Sequence, residues 1–327
     1  WGDTGNMVCS LYAGIRECNT FMEGVTGVQD LNKYEKDRMI AEAKMIKAYM
    51  HFYLLSYYGP ICPLRENTEV NESTQGVRVY REKVDDCFAY ILELLDEVIE
   101  GNALPAVIEN RTTELGRFTR PAAYMLKAKV LVYWASPLFN GNTDYNSFLN
   151  NAGEPFFNQS YDETRWTAAA EACKKAVDAC EAAGIRLYQQ SDYISPKVLS
   201  DQTMLVNTLR SSVSERWNCE LVWGNSSYPV NSGLQSPCFP RLEQGTSSST
   251  TGTMSVPFST VDLFYSENGV PIEEDKGYDY AHRFDIRTGD EEHKYYIQKG
   301  EQTAAMNFDR EPRFYSTLGF DRGKWYG

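Results

Sequence analysis

The chain has 327 residues, with 32 Lys and Arg against 45 Asp and Glu for a net charge of −13. That length allows a large core in one compact unit or two. The acidic balance argues against nucleic acid, because phosphate binding needs clustered Lys and Arg, and no stretch approaches the ~20 apolar residues of a membrane span. Aromatics make up 13%, including 22 Tyr and 6 Trp. Helix packing uses part of that share, and a sugar-binding surface would use the rest.

In chain order, residues 11–24 read as a short helix, and Gly24, Gly27 and the polar run 29–33 turn it into a longer one. That second helix, residues 34–58, opens with charge at Glu35, Lys36, Asp37 and Arg38. Apolar positions recur at Met39, Ala43, Ile46 and Met50, then at Tyr53, Leu54 and Tyr57, which predicts one face against a core. Gly59-Pro60 ends it, since glycine can take the left-handed cap and proline cannot continue a helix. Residues 80–101 give the cleanest amphipathic pattern, with Val84, Phe88, Ile91, Leu92, Leu95 and Val98 on one stripe. Thr119-Arg120-Pro121 reads as a helix entry, and that helix runs to about Trp134. Residues 164–183 predict another helix with Trp166, Ala169, Cys173, Val177 and Cys180 on its buried face. It would open a third hairpin whose partner lies beyond this chain. Successive helix hairpins of this kind hide their faces by stacking, as tetratricopeptide-like repeats do.

Beyond Ile185 the texture changes. Residues 217–223 look strand-like, 225–253 are rich in Ser, Gly, Asn and Pro, and 261–265 read as a short helix ending near Asn268-Gly269. The expected organisation is a helical scaffold over 1–184 and a loop-rich ligand-binding region over 185–327, mainly α throughout with possible short strands near the end.

No catalytic constellation stands out. There is no HExxH, GxSxG, phosphate loop or dinucleotide fingerprint. The histidines His51, His282 and His293 have no metal spacing, and His51 reads as structural. The acid pairs in 273–275 and 290–292 resemble glycosidase carboxylates only in composition, and a solvated face accounts for them better. Asn140, Asn142, Asp144 and Asn146 offer calcium an oxygen-rich set, but the EF-hand spacing and closing Glu are absent, and turn chemistry is the simpler reading. The eight cysteines show no zinc pattern; most read as small buried apolar residues, with Cys219 and Cys238 the least unlikely disulfide pair.

The string AEAKMIKAYMHFYLLSYYGPICPL closely resembles the hallmark helix of the SusD/RagB family of surface nutrient-binding lipoproteins. The matching positions are Glu42, Ala43, Lys47, Ala48, Tyr49, Phe52, Tyr58, Gly59, Pro63 and Leu64. Three further blocks fall in the family's order: Leu11-Tyr12 through Asn19, then Gly116-Arg117-Phe118-Thr119 through Ala128, and FSTVDLFYSENGVPI followed by Glu311-Pro312-Arg313-Phe314-Tyr315. Four blocks in order make the match specific. The family's signal and lipid-attachment region and its C-terminal helices are not matched, so the chain reads as an internal fragment.

The resemblance implies a SusD-like α-α superhelix carrying a non-catalytic, cell-surface, outer-membrane binding protein. Its ligand would be an oligosaccharide or polysaccharide, and its partner a SusC-like TonB-dependent transporter. The membrane link would be a lipid anchor outside this fragment. Ligand contacts in the family come mainly from loops outside the repeats, which points to residues 223–258 and to Trp223, Asn225, Tyr228, Phe239 and Arg241 as ligand-binding candidates. Rings cover the flat C–H faces of sugars, while amide and guanidinium groups reach their hydroxyls. The alternative is a helical-repeat protein that binds peptide or protein partners.

Overall fold

The structure is a computed structural model that describes residues 7–68, 72–73, 75–226, 236–239 and 250–325. Six helices longer than three turns lead in chain order: α1 (Met7–Val25), α2 (Lys33–Tyr58), α3 (Val84–Gly101), α4 (Arg120–Ala135), α5 (Thr164–Ala182) and α6 (Asp201–Ser214). Short helices α7 (Ser236–Cys238), α8 (Phe258–Val261) and α9 (Pro312–Thr317) follow, with β1 (Ile286–Thr288) and β2 (Gln302–Ala304) pairing antiparallel. The fold is mainly α. It divides into two compact units: unit 1 holds 1–186 and 221–226, and unit 2 holds 187–220 and 227–327.

In unit 1 each helix from α1 to α5 packs on the next. α2 begins with a capping box, in which the Asn32 side chain accepts from the Glu35 N–H at 3.0 Å and Glu35 accepts from the Asn32 N–H at 3.2 Å. It ends at Gly59, whose φ of 69° is one that glycine holds without steric cost. The buried face of α2 includes Ala41, Met45, Ala48, Phe52 and Leu55; of the stripe that the spacing suggests, Ala43 and Leu54 are buried and Met39, Met50 and Tyr53 are partly so. Ile46 and Tyr57 lie at the surface. The difference arises because polar Lys47 and His51 are also buried. The Lys47 amine donates to the Arg65 carbonyl at 2.6 Å, and His51 sits between the Lys47 carbonyl (2.8 Å) and the Leu64 N–H (3.1 Å). Together they fasten the exit segment 62–65 to the helix, which makes His51 the structural residue its position implied.

α3 starts at Val84, four residues later than its pattern suggests, and buries Val84, Phe88, Ile91, Leu95 and Val98 as expected. α4 follows Thr119 with Pro121 in its first turn. α5 packs on α4 through Ala169, Ala172 and Ala176 against Ala128, Leu131 and Ala135. Its contact face on α4 is therefore an alanine strip; of the expected stripe Ala169 and Cys180 are buried, while Trp166, Cys173 and Val177 are exposed, which corrects it at those three positions. Small side chains win here because they bring two backbones close.

Unit 2 departs more from expectation. Residues 201–214, which carry no strong apolar period, form α6, capped by the Ser200 side chain on the Thr203 N–H. Residues 217–223 are turns and bends rather than a strand. Trp217 takes a φ of 57°, and the Asn218 amide donates to the Ser211 and Ser212 carbonyls at 3.3 and 2.8 Å, so the chain doubles back at the helix end. The helical turn expected at 261–265 lies at Phe258–Val261. Arg310 holds this unit together. It is 2% exposed and donates to the carbonyls of Met306, Val261, Phe264 and Tyr265 at 2.8 to 3.4 Å. Glu311 accepts from the Tyr265 N–H at 2.8 Å, which joins the segment after α8 to the start of α9.

Candidate ligand-binding site

α2 places Tyr49, Tyr53 and Tyr57 at four-residue steps, one above another on one side of the helix. Tyr49 and Tyr53 are stacked with ring centroids 6.0 Å apart, and Tyr53 and Tyr57 are 4.8 Å apart. The Tyr53 hydroxyl donates to that of Tyr57 at 3.5 Å, and the shared bond pushes the Tyr53 phenol up to about 12. The Tyr53 hydroxyl therefore stays neutral at physiological pH, able to donate and accept. Tyr57 is 64% exposed.

The ring row continues onto Trp223. Residues 221–226 return to unit 1, where Val222 packs on the main core. Trp223 meets Tyr49 edge-on at 5.5 Å and tilts over Phe118 at 4.7 Å. Its indole N–H donates to the Gly116 carbonyl at 3.3 Å, and 41% of the residue stays exposed. Gly116 is needed for this approach. Its φ is 93°, and a Cβ there would lie 3.1 Å from the Ser226 hydroxyl and 3.2 Å from the Gly224 carbonyl.

Charge fixes the loop that carries Gly116 and Phe118. Arg38 bonds both oxygens of Glu114 at 2.9 and 3.3 Å. Arg117 bonds both oxygens of Glu42 at 2.9 and 3.0 Å and reaches Glu114 at 2.6 Å. Arg38 first, then Arg117, holds the Glu114 carboxyl below its ordinary range. Bidentate Arg–carboxylate pairs are directional, so α2 and the 114–118 loop are locked in register. The result is a ridge of four rings, Trp223, Tyr49, Tyr53 and Tyr57, backed by Phe118, which is buried in the core.

The sequence candidates separate. Trp223 and Asn225 share the 221–226 loop, and Asn225 is exposed beside the ridge. Phe239 belongs to unit 2, where its ring lies 6.3 Å from Trp325. Tyr228 and Arg241 lie outside the described residues. The sequence candidates do not include Tyr49, Tyr53 or Tyr57; Tyr53 and Tyr57 read as part of the core-facing stripe of the helix, and Tyr49 only as a position matching the family helix. The oxygen-rich loop is occupied by turn chemistry: both ends of the Asn140 amide bond the Asp162 backbone, and Asn142 accepts from the Asp144 N–H. Among the described residues no group of three His, Cys, Asp or Glu could hold a metal ion. Cys219 and Cys238 are both free thiols, so the disulfide considered for them does not form.

Residues 2–132 match a family model for SusD-like proteins described as starch-binding and associating with the outer membrane, and residues 219–327 match the SusD family model. Among solved structures, BT4246 superposes with a TM-score of 0.80 at 26% identity, over 97% of this chain and 55% of that one. The SusD-like protein BF3747 of Bacteroides fragilis superposes with a TM-score of 0.62 at 20% identity, over 95% of this chain and 48% of that one. The chain thus spans about half the length of these structures. No curated protein sequence matches it.

Proposed function

Since this chain belongs to the SusD/RagB family, we propose that it is part of a non-catalytic binding protein at the outer-membrane surface that captures oligosaccharide or polysaccharide. The observation that carries this reading is the four-ring ridge that runs from Trp223 along Tyr49, Tyr53 and Tyr57. Its rings offer flat apolar faces to the C–H faces of sugars, and its phenol hydroxyls and Asn225 lie at the edges where sugar hydroxyls would sit. A ridge open along its length suits a chain longer than one sugar, because each ring adds a modest contact and none needs deep burial. Delivery of the captured glycan to a SusC-like TonB-dependent transporter, with a lipid anchor holding the whole protein at the cell surface, completes the proposal.

Affinity electrophoresis of the chain through gels containing different neutral polysaccharides tests it. Retardation on at least one glycan is expected. Trp223→Ala should weaken that binding by roughly tenfold or more, and Tyr57→Ala by less. Tyr57 is the more exposed ring, so its variant keeps the core intact. Silence on every glycan, with a peptide co-purifying instead, would replace the sugar reading with peptide recognition.

A further inference from the structure

Unit 2 contains a cleft that the ridge does not use. Its volume is about 210 Å³, room for one sugar-sized ring, and α6 forms its floor with Asn207 and Arg210. Lys294, Tyr295, Lys324 and Trp325 form the walls. Trp325 lies flat over the Arg210 guanidinium, 4.3 Å from carbon to ring centroid. Asn207 is 5% exposed and donates to the Tyr193 hydroxyl at 3.2 Å, while its amide oxygen makes no bond among the described residues.

The charge in this cleft is unbalanced. Elsewhere in this acidic chain Arg38, Arg65, Arg117, Arg165, Arg287 and Arg313 each hold a carboxylate. Among the described residues Arg210 holds none; its only hydrogen bonds there are to the Ser316 and Tyr315 carbonyls, both long at 3.3 Å, and its Nη1 makes none. Arg310 also lacks a carboxylate among the described residues, but four carbonyls close around it. Lys294 is paired with Glu291 at 2.5 Å, whereas Lys324 has no ion pair among the described residues. A half-buried cation without a counter-ion is costly, and burial accordingly pushes the Arg210 pKa down. An incoming anion would relieve that cost, and the ring lying on the guanidinium offers the anion's carrier a flat apolar wall.

We propose that this cleft is a second binding site that takes an anionic sugar unit, with its carboxylate or sulfate on Arg210 and Lys324 and its ring face against Trp325 or Tyr295. Asn207 supplies an acceptor for one sugar hydroxyl. The saccharide part rests on the glycan-capture reading; the anion part rests on the cleft alone.

Isothermal titration of the chain with tetragalacturonic acid, with a chondroitin sulfate tetrasaccharide and with neutral maltoheptaose tests the site. At least one acidic oligosaccharide should bind, and added salt should weaken it. Arg210→Gln and Trp325→Ala should each lower that affinity by about tenfold or more, Lys324→Gln by less, and Trp223→Ala should leave it unchanged. A preference for tetragalacturonic acid identifies a carboxylate ligand, and a preference for the chondroitin fragment identifies a sulfate ester. Lys324 and Trp325 are exposed, so their variants remain informative if Arg210→Gln unfolds unit 2. The proposal is overturned if neither acidic oligosaccharide binds, or if binding survives both Lys324→Gln and Trp325→Ala. No retention on any neutral glycan, or retention unchanged in Trp223→Ala, with acidic binding intact would instead remove the ridge reading and leave the cleft standing.

Discussion

The two units are held together by different physics. Unit 1 is a stack of helices whose core is a contiguous set of aliphatic and aromatic side chains, with Phe88, Ile15 and Leu55 fully buried. Its polar groups orient loops around a body that burial has already made. Unit 2 has a small apolar cluster around Val206, Phe314 and Tyr315, and around it single charged groups tie loop to loop. Arg310 ties four carbonyls, and His293 lies between two carboxylates, with Nδ1 at 2.6 Å from Asp290 and Nε2 at 2.7 Å from Asp309. A protein region can thus be ordered by area or by a few fully satisfied polar hubs, and the second kind answers to pH and to single substitutions.

The contrast can be broken first by size. Phe88→Ala opens a cavity among α3, α4 and the 139–157 loops and should cost unit 1 about 3–5 kcal/mol, read by chemical denaturation. Arg310→Met should cost unit 2 a comparable or slightly smaller amount, on the order of 3 kcal/mol, because four carbonyls lose their donor while the apolar stem is replaced. Hydrogen exchange should locate the first loss in α2 to α4 and the second in residues 261–315. If exchange rises uniformly over the whole chain in both variants, the two kinds of order are not separable.

Opposite pH responses sharpen the comparison next. His51 donates from Nδ1 to a carbonyl and accepts at Nε2 from a backbone N–H, so it is neutral, and burial pushes its pKa down to about 4. Its folded value lies below the unfolded ~6.5, so its contribution is complete above that value. It is lost as pH falls toward 4, a span worth roughly 3 kcal/mol. In His293 both ring nitrogens face carboxylates, which requires the imidazolium. Burial opposes that charge, but Asp290 and Asp309 outweigh it and raise the pKa. Arg287 bridges the same two carboxylates, and Phe308 meets the imidazole in a T-shaped contact at 5.0 Å. The folded value lies above the unfolded one, so this contribution is complete in mild acid and is lost as pH rises through the raised value. Exchange protection, taken relative to the intrinsic base-catalysed rate at each pH, should therefore fall in α2 on acidification and in 286–310 on alkalinisation; a shared direction would refute the assignment of charge states.

The smallest effect belongs to a helix end. Asn32→Ala removes the capping box of α2 and should cost about 1 kcal/mol, seen as a small drop in melting temperature with no change at the ridge.

What could be read beforehand follows the same division. α3 was legible because its stripe is strictly periodic and apolar. The core face of α2 was only partly legible because Lys47 and His51, polar by type, are buried, while Tyr57, apolar by count, is exposed. α5 misled for the converse reason, since its contact face is alanine and its large residues point to water. Unit 2 leaves almost no periodic trace, because Arg310 and His293 act through single contacts with backbone and carboxylate. Trp223 was legible as a ring in an irregular segment. Its neighbours were not, because they come from α2 and from the loop before α4, and nothing in a linear pattern brings those positions together.

The tyrosine row rides on a helix whose far side is the core of unit 1. Its spacing is therefore set by backbone geometry: Tyr49 and Tyr57 are eight residues apart, about 12 Å along the axis. None of these rings can slide toward a ligand without α2 coming apart, so the row behaves as a ruler. A polymer whose repeat falls in step with it would meet every ring at once with little ordering left to do, and one with a different pitch would meet only some of them.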